Sequence, residues 1–329
     1  MKVSLGIFVA ALALVGCGKG KSADSNTKGD TSGDGSGDGS GDSSDGTPDA
    51  VVSPGDFPVI SNAPGRVEYT FEHDGLSRVF LVYVPDSLAP SAPLMMALHG
   101  GGGKAKQTFD QHPVEELAEK FGVVAVAAQG TPKDGEENSF DWNGQVSLDS
   151  GVDDVGYLAR ILEEVTAQLG LDPKRRYLAG FSGGASMTIR MGAERSDLLT
   201  AIATFAGKVG LSEAGGPIVY PPVPTTPLSV QLLYGTDDPN LEGELKGDVQ
   251  ATSARAGIEW WASQLGCGAA PANISVGTLS FDTYPDCDQG VAVRLVVAEG
   301  IPHAWPEEDT HGLAGTKLLF EFFDGKTKP

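Results

Sequence analysis

The pentapeptide Gly180-Phe181-Ser182-Gly183-Gly184 constrains this chain more than any other stretch. It is a G-x-S-x-G motif. Arg176-Tyr177-Leu178-Ala179 precedes it, short and apolar enough for a buried strand, and residues 185–195 follow it with the pattern of a helix. A serine on such a strand-to-helix turn is held in a strained backbone with its Oγ exposed. The helix N-terminus then offers amide N–H groups and a positive dipole end to a developing oxyanion. A chain this rich in glycine and serine also produces the motif by chance, so the flanking strand and helix carry the argument.

The rest of the pattern supplies the sheet that this turn needs. Residues 67–71 and 79–84 read as strands joined by a turn at His73-Asp74-Gly75, with Pro85 ending the second. Leu94-Met95-Met96-Ala97-Leu98 is a continuous apolar run, the mark of a central strand covered on both faces. Further strands are expected at 123–128, 200–205, 228–234 and 291–298. Helices are expected at 113–120, 153–169, 251–265 and 316–323, and the proline-rich 215–227 reads as a loop. Asp153 and Asp154 would favour the start of their helix through its dipole. Strands alternating with helices predict an α/β fold, a mostly parallel sheet with helices on both faces. In such sheets ligands bind beyond the carboxyl ends of the strands.

The chain has 329 residues, of which 59–329 are expected to fold as one domain. What precedes them reads as export signal and tether. Lys2 and the apolar run from Val3 to Val15 have the form of a signal peptide, too short for an ordinary membrane-spanning helix. The run ends in Leu14-Val15-Gly16-Cys17, similar to a bacterial lipobox in which Cys17 carries the lipid; an ordinary signal peptide with an incidental cysteine is the alternative. Gly18 gives no Asp-type retention signal, so the outer membrane or cell surface is expected. Residues 18–58 read as a disordered tether dominated by Gly, Ser and Asp. Asp34, Asp38, Asp42 and Asp45 fit a solvated spacer, because no Glu completes a calcium loop. The net charge of −21 argues against nucleic acid and anionic membrane surfaces as partners. With Cys17 lipidated, Cys267 and Cys287 remain as an even pair able to form a disulfide in an oxidising compartment. No second Cys or His lies near either one, and neither a metal site nor a cofactor is expected.

A serine hydroxyl becomes a nucleophile when a base takes its proton and a carboxylate orients that base. One known chain order is Ser, acid, His, each after a strand. After Ser182 only His303 and His311 can serve as base. His303 directly follows the 291–298 strand, whereas His311 sits in a polar stretch that reads as surface. The acid should follow the 228–234 strand, where Gly235-Thr236-Asp237-Asp238-Pro239 offers two candidates that the residues alone do not separate. The oxyanion donors are expected from the amides of Gly183 and of Gly101, in the His99-Gly100-Gly101-Gly102-Gly103 loop after the Leu94–Leu98 strand. His99 precedes Ser182 and reads as a brace for that loop, close to substrate, rather than as the base. Trp142 and Trp305 are candidate substrate contacts, with plain packing as the alternative for each.

From about Gly75 to Pro306 the chain resembles the polyhydroxybutyrate depolymerase and feruloyl esterase-like group of α/β-hydrolases. The resemblance rests on Leu98-His99-Gly100-Gly101-Gly102, Val152-Asp153-Asp154-Val155-Gly156-Tyr157-Leu158, Gly170-Leu171-Asp172-Pro173-Lys174-Arg175-Arg176-Tyr177 and the serine motif. It continues through Tyr234-Gly235-Thr236-Asp237-Asp238-Pro239, Trp261 to Cys267, Tyr284-Pro285-Asp286-Cys287 and His303-Ala304-Trp305-Pro306. It implies an α/β-hydrolase fold and a serine esterase acting outside the cytoplasm on hydroxyalkanoate, feruloyl or acetyl esters, polymeric ones included. It selects Asp238 over Asp237, pairs Cys267 with Cys287, and places Phe140-Asp141-Trp142-Asn143 at the site. Pro239-Asn240-Leu241-Glu242-Gly243 stands where relatives carry a valine-proline-tyrosine type turn, and Ile301-Pro302 where many have a glycine before the histidine. Both departures bear on specificity. No polymer-binding domain follows Pro329, so soluble or side-chain esters are expected over solid polyester. A peptidase of the same fold and an inactive tethered carbohydrate- or phenolic-binding protein are the competing readings.

Overall fold

The structure, a computed structural model, describes residues 56–133, 136–213, 215–243 and 245–328. The expected signal peptide, Cys17 and the tether lie outside the described residues apart from 56–58. Phe57, assigned to the tether by the sequence reading, packs against Phe71 and Phe80 at ring distances of 4.8 and 5.4 Å, so the folded domain already includes it.

In chain order the elements are β1 (Gly65–His73), β2 (Leu76–Val84), β3 (Leu94–Leu98), α1 (Ala105–Gln111), α2 (Val114–Phe121), β4 (Val124–Ala128), β5 (Thr131–Lys133), β6 (Glu136–Asp141), α3 (Asp154–Gln168), β7 (Arg176–Phe181), α4 (Gly183–Glu194), β8 (Ala201–Phe205) and β9 (Leu211–Glu213). Then follow β10 (Ser229–Gly235), β11 (Leu245–Lys246), β12 (Val249–Ala251), α5 (Ala254–Gln264), β13 (Ala272–Val276), β14 (Leu279–Tyr284), β15 (Val293–Ala298), α6 (Glu308–His311) and α7 (Gly315–Phe323). The main sheet runs β1-β2-β4-β3-β7-β8-β10-β15-β14-β13. The strands from β4 to β15 in that order are parallel, and antiparallel hairpins close both edges. This is the α/β-hydrolase arrangement.

Strand alternation sorts the core into two layers. Leu94, Met96 and Leu98 join the layer formed with α3, α4 and α5, while Met95 and Ala97 join the one formed with α1, α2 and α7. Every residue of β3, β4, β8 and β10 is buried; β3 and β4 read as unbroken apolar runs, and β8 and β10 as mostly apolar ones interrupted by Thr204 and by Ser229 and Gln231. One expected boundary moves, and some elements had no sequence signal. The α5 helix starts at Ala254 under a Ser253 cap rather than at 251, because Ala251 is taken into β12. The polar hairpin β5–β6 and the edge strand β13, exposed at every position, had no apolar period to announce them.

Asp154 does a different job from the one expected. Asp153 caps α3, accepting from the Gly156 amide, but Asp154 turns inward and is buried. Its Oδ1 accepts from Arg78 at 2.6 Å and its Oδ2 from the Asn143 amide at 2.7 Å, while the Arg78 guanidinium lies 3.7 Å from the Tyr157 ring centre. A buried ion pair anchored in β2 and α3 thus fixes the chain immediately after Trp142. Removing one partner strands the other charge out of water. Asp154→Ala is expected to lower unfolding stability by about 3–5 kcal/mol, read from a denaturant midpoint, and Arg78→Met with Asp154→Leu to recover most of that loss.

Candidate active site

Ser182 sits between β7 and α4 with φ 52° and ψ −112°, in the left-handed region that a residue with a Cβ avoids. The two outer glycines of its motif make the turn possible. A Cβ at Gly180 would stand 2.3 Å from the Gly184 carbonyl oxygen, and one at Gly184 would stand 2.3 Å from the His99 carbonyl oxygen. Backbone bonds hold the serine itself. Its N–H donates to the Phe205 carbonyl at 2.9 Å and its carbonyl accepts from the Ser186 amide at 3.0 Å.

His303 follows β15 and Asp238 follows β10, so both reach the same rim of the sheet as Ser182. His303 Nε2 is 2.9 Å from Ser182 Oγ, and His303 Nδ1 is 3.1 Å from each carboxylate oxygen of Asp238. Asp238 is buried, its side chain 1 % exposed, and also accepts from the Asn240 amide at 2.8 Å. Asp237, the other candidate acid, is exposed and engaged by the Thr236 hydroxyl. His311 accepts from the Glu307 amide beside α6, away from this group.

The glycine loop after β3 completes the rim. Gly102 donates to the Phe140 carbonyl at 2.8 Å and Gly103 to the Gly100 carbonyl at 2.9 Å, whereas the amides of Gly101 and Gly183 have no protein acceptor among the described residues. They are also neighbours: a Cβ on Gly183 would lie 3.1 Å from the Gly101 nitrogen. Two unoccupied amides beside a hydroxyl that shares a hydrogen bond with imidazole form a pocket suited to a tetrahedral oxyanion.

Two candidate substrate contacts have their polar atoms engaged by the protein. His99 is buried under the loop and braces it: Nε2 accepts from the Gly130 amide at 3.0 Å and Nδ1 donates to the Gly100 carbonyl at 2.8 Å. Burial pushes its imidazole down to about 4, so it stays neutral and keeps that donor and acceptor pattern. Trp305 is packed between His112 and Phe205, at ring distances of 4.4 and 5.2 Å, and donates to Thr316. Both residues border a cleft of about 260 Å³, but their polar atoms are occupied by protein partners. Trp142 lines the main cleft, with its indole N–H donating to the His99 carbonyl at 2.9 Å.

That main cleft holds about 500 Å³. Asp141, Gln145, Ser186, Lys208, Asn240 and Lys246 give it a polar wall, and Leu148, Leu211 and Val249 an apolar one. None of these polar residues except Asp141 and Asn240 belonged to any motif or departure in the sequence. Lys246 arrives on the small β11-β12-β9 sheet, which had no sequence signal. Cys267 and Cys287 form a disulfide that ties the end of α5 to the segment after β14.

Residues 78–219 match the family model "Esterase PHB depolymerase". A bifunctional acetylxylan esterase/xylanase, XynS20E of Neocallimastix patriciarum, is 28 % identical over 70 % of this chain and 31 % of its own length. Feruloyl esterase B of Piromyces equi is 28 % identical over 65 % of this chain and 40 % of its own. The chain thus spans well under half the length of both relatives. The solved acetyl xylan esterase from Aspergillus awamori superposes with a TM-score of 0.56 at 18 % identity, covering 75 % of this chain and 93 % of that one, and shares the fold. With the strand order and the serine turn, these matches show an α/β-hydrolase fold whose segment 78–219 is similar to the Esterase PHB depolymerase family and to acetylxylan and feruloyl esterases.

Proposed function

We propose that this protein is an extracytoplasmic serine esterase that cleaves carboxylic esters through Ser182, His303 and Asp238. The observation that carries the reading is His303, within hydrogen-bond reach of the Ser182 hydroxyl on one nitrogen and of the buried Asp238 carboxylate on the other. Ser182 Oγ attacks the ester carbonyl as Nε2 takes its proton. The tetrahedral oxyanion accepts from the Gly101 and Gly183 amides, the latter at the N-terminus of α4. Asp238 holds the Nδ1 proton and stabilises the imidazolium. His303 returns the first proton to the departing alcohol, leaving an acyl group on Ser182. Water then loses a proton to Nε2 and attacks the acyl carbon, and Ser182 leaves with that proton as the acid is released.

The relatives act, by their names, on acetylxylan and feruloyl esters, and the family model carries the name of polyhydroxybutyrate depolymerase. A partly polar cleft of about 500 Å³ suits the hydroxyl-rich esters of that range, whether hydroxyalkanoates or acyl groups on plant polysaccharide. Export and anchoring through Cys17 fit both the Leu14-Val15-Gly16-Cys17 sequence and the Cys267–Cys287 disulfide, a bond of oxidising compartments.

Ser182→Ala is expected to lower turnover of p-nitrophenyl acetate by about four to six orders of magnitude and to abolish labelling by a fluorophosphonate. A variant that keeps the parent rate would refute the assignment. Cys17→Ala is expected to move the protein from the membrane to the soluble fraction after export; recovery of the variant in the membrane pellet would refute the lipid anchor.

A further inference from the structure

The most unusual group in the cleft is the carboxylate of Asp141. It stands at the end of β6, where the β5–β6 hairpin folds over the glycine loop. A methyl group on Gly183 would meet its Oδ1 at 3.1 Å, and one on Gly101 would meet the same oxygen at 3.3 Å and Oδ2 at 3.6 Å. Asp141 therefore lies directly beside the two unoccupied amides. Its Oδ1 accepts from the Trp142 amide at 2.9 Å, while Oδ2 has no hydrogen-bond or ion-pair partner among the described residues.

A negative charge there opposes the chemistry proposed for Ser182. The oxyanion forms against the same amides, so carboxylate and alkoxide would face each other within a few ångströms in a partly desolvated cleft. A substrate group that donates to Oδ2 offsets that opposition. A cationic substrate is disfavoured, because Lys208 and Lys246 line the same cleft. A neutral hydroxyl meets no such repulsion. It can donate to Oδ2 in a charge-assisted hydrogen bond, the stronger kind.

We propose that Asp141 selects esters bearing a free hydroxyl close to the scissile bond, by accepting that hydroxyl's proton in a hydrogen bond. The inference rests on the esterase reading and narrows its substrate class. The hydroxyl has two possible sources, the acyl side (a 3-hydroxyacyl ester) or the alcohol side (an acylated sugar with a vicinal hydroxyl). A site that hydrogen-bonds a substrate hydroxyl discriminates against the analogue without it, because a partly buried carboxylate oxygen beside the reacting carbonyl then loses its partner.

The test uses matched pairs. For the acyl side they are p-nitrophenyl 3-hydroxybutyrate and p-nitrophenyl butyrate. For the alcohol side they are methyl 2-O-acetyl-xyloside and its 3-O-methyl derivative. The parent is expected to favour the hydroxyl-bearing member of at least one pair by about tenfold or more in kcat/KM, and the pair that responds names the source. Asp141→Asn keeps the bond to the Trp142 amide through its carbonyl and puts an NH₂ where Oδ2 was. It is expected to cut that preference by about tenfold while raising kcat on the plain ester, because the charge opposing the oxyanion is gone. A merely structural role would change both members of a pair equally, and that result would overturn the proposal. So would a parent with no preference in either pair, a measurement that needs no variant to fold. Loss of fluorophosphonate labelling and of all ester turnover in the parent would instead overturn the esterase reading itself.

Discussion

The positive φ of Ser182 is the constraint around which the site is arranged. A non-glycine residue in that conformation costs on the order of 1–3 kcal/mol and persists only where its surroundings overdetermine it. Here β7 lies between β3 and β8 in the interior of the sheet, and its last residue, Phe181, is still paired to Phe205. The Ser182 amide continues to the Phe205 carbonyl, and α4 begins at the next residue. Strand and helix can cross this tightly only where no side chain intervenes, which is what glycine at 180 and 184 provides. The strain yields a hydroxyl projecting from the sheet toward His303, with the Gly183 amide beside it.

The other two members of the hydrogen-bonded chain are placed by the same sheet at longer range. The registers of β8, β10 and β15 bring Phe205, Gly235 and Ala298 near one rim, so Ser182, Asp238 and His303 converge although the last two are 65 residues apart in sequence. Asp238 gains its orientation from two kinds of nitrogen, the His303 ring and the Asn240 amide. A buried carboxylate without such donors would carry an unmatched desolvation cost. Farther back, the Arg78–Asp154 pair supports the opposite wall. Asp154 holds the Asn143 amide, the Asn143 side chain holds Asp149 and the Val152 carbonyl, and Trp142 is thereby held against the glycine loop.

What could be read from the sequence follows from burial. The parallel strands are covered on both faces, so β3 and β4 appear as apolar runs and β8 and β10 as mostly apolar ones, and the serine motif is short because its geometry is local. The site residues at the ends of those strands could be located from them. Asp238 could not be separated from Asp237 by residue type, since either side chain can cap a turn; the resemblance selects Asp238, and in the fold Asp238 is the one buried against His303. His99 reads from the sequence as a brace for the glycine loop and Trp305 as either contact or packing; nothing local reveals that the Gly130 amide and Thr316 are the partners that engage them. Gln145 and Lys246 arrive on polar segments without periodicity, and their place in the cleft is a tertiary fact; Asp141 was placed near the site by the resemblance alone.

The turn after Asp238 links reactivity to selectivity. Its sequence departs from relatives at Pro239-Asn240, and Asn240 proves to be buried at the junction of both functions. Its backbone amide donates to Asp238, its side chain donates to the Ala206 carbonyl, and it lines the cleft within 3.4 Å of His303 Nδ1. Ala206, with φ 59°, is itself in the left-handed region and follows Phe205, whose carbonyl holds the Ser182 amide. Residue 240 therefore takes part in the cleft wall through its side chain and in holding Asp238 through its backbone amide. Polar selection by the wall and orientation of the base share one residue, and a change of substrate preference there would carry a change in the histidine's alignment with it.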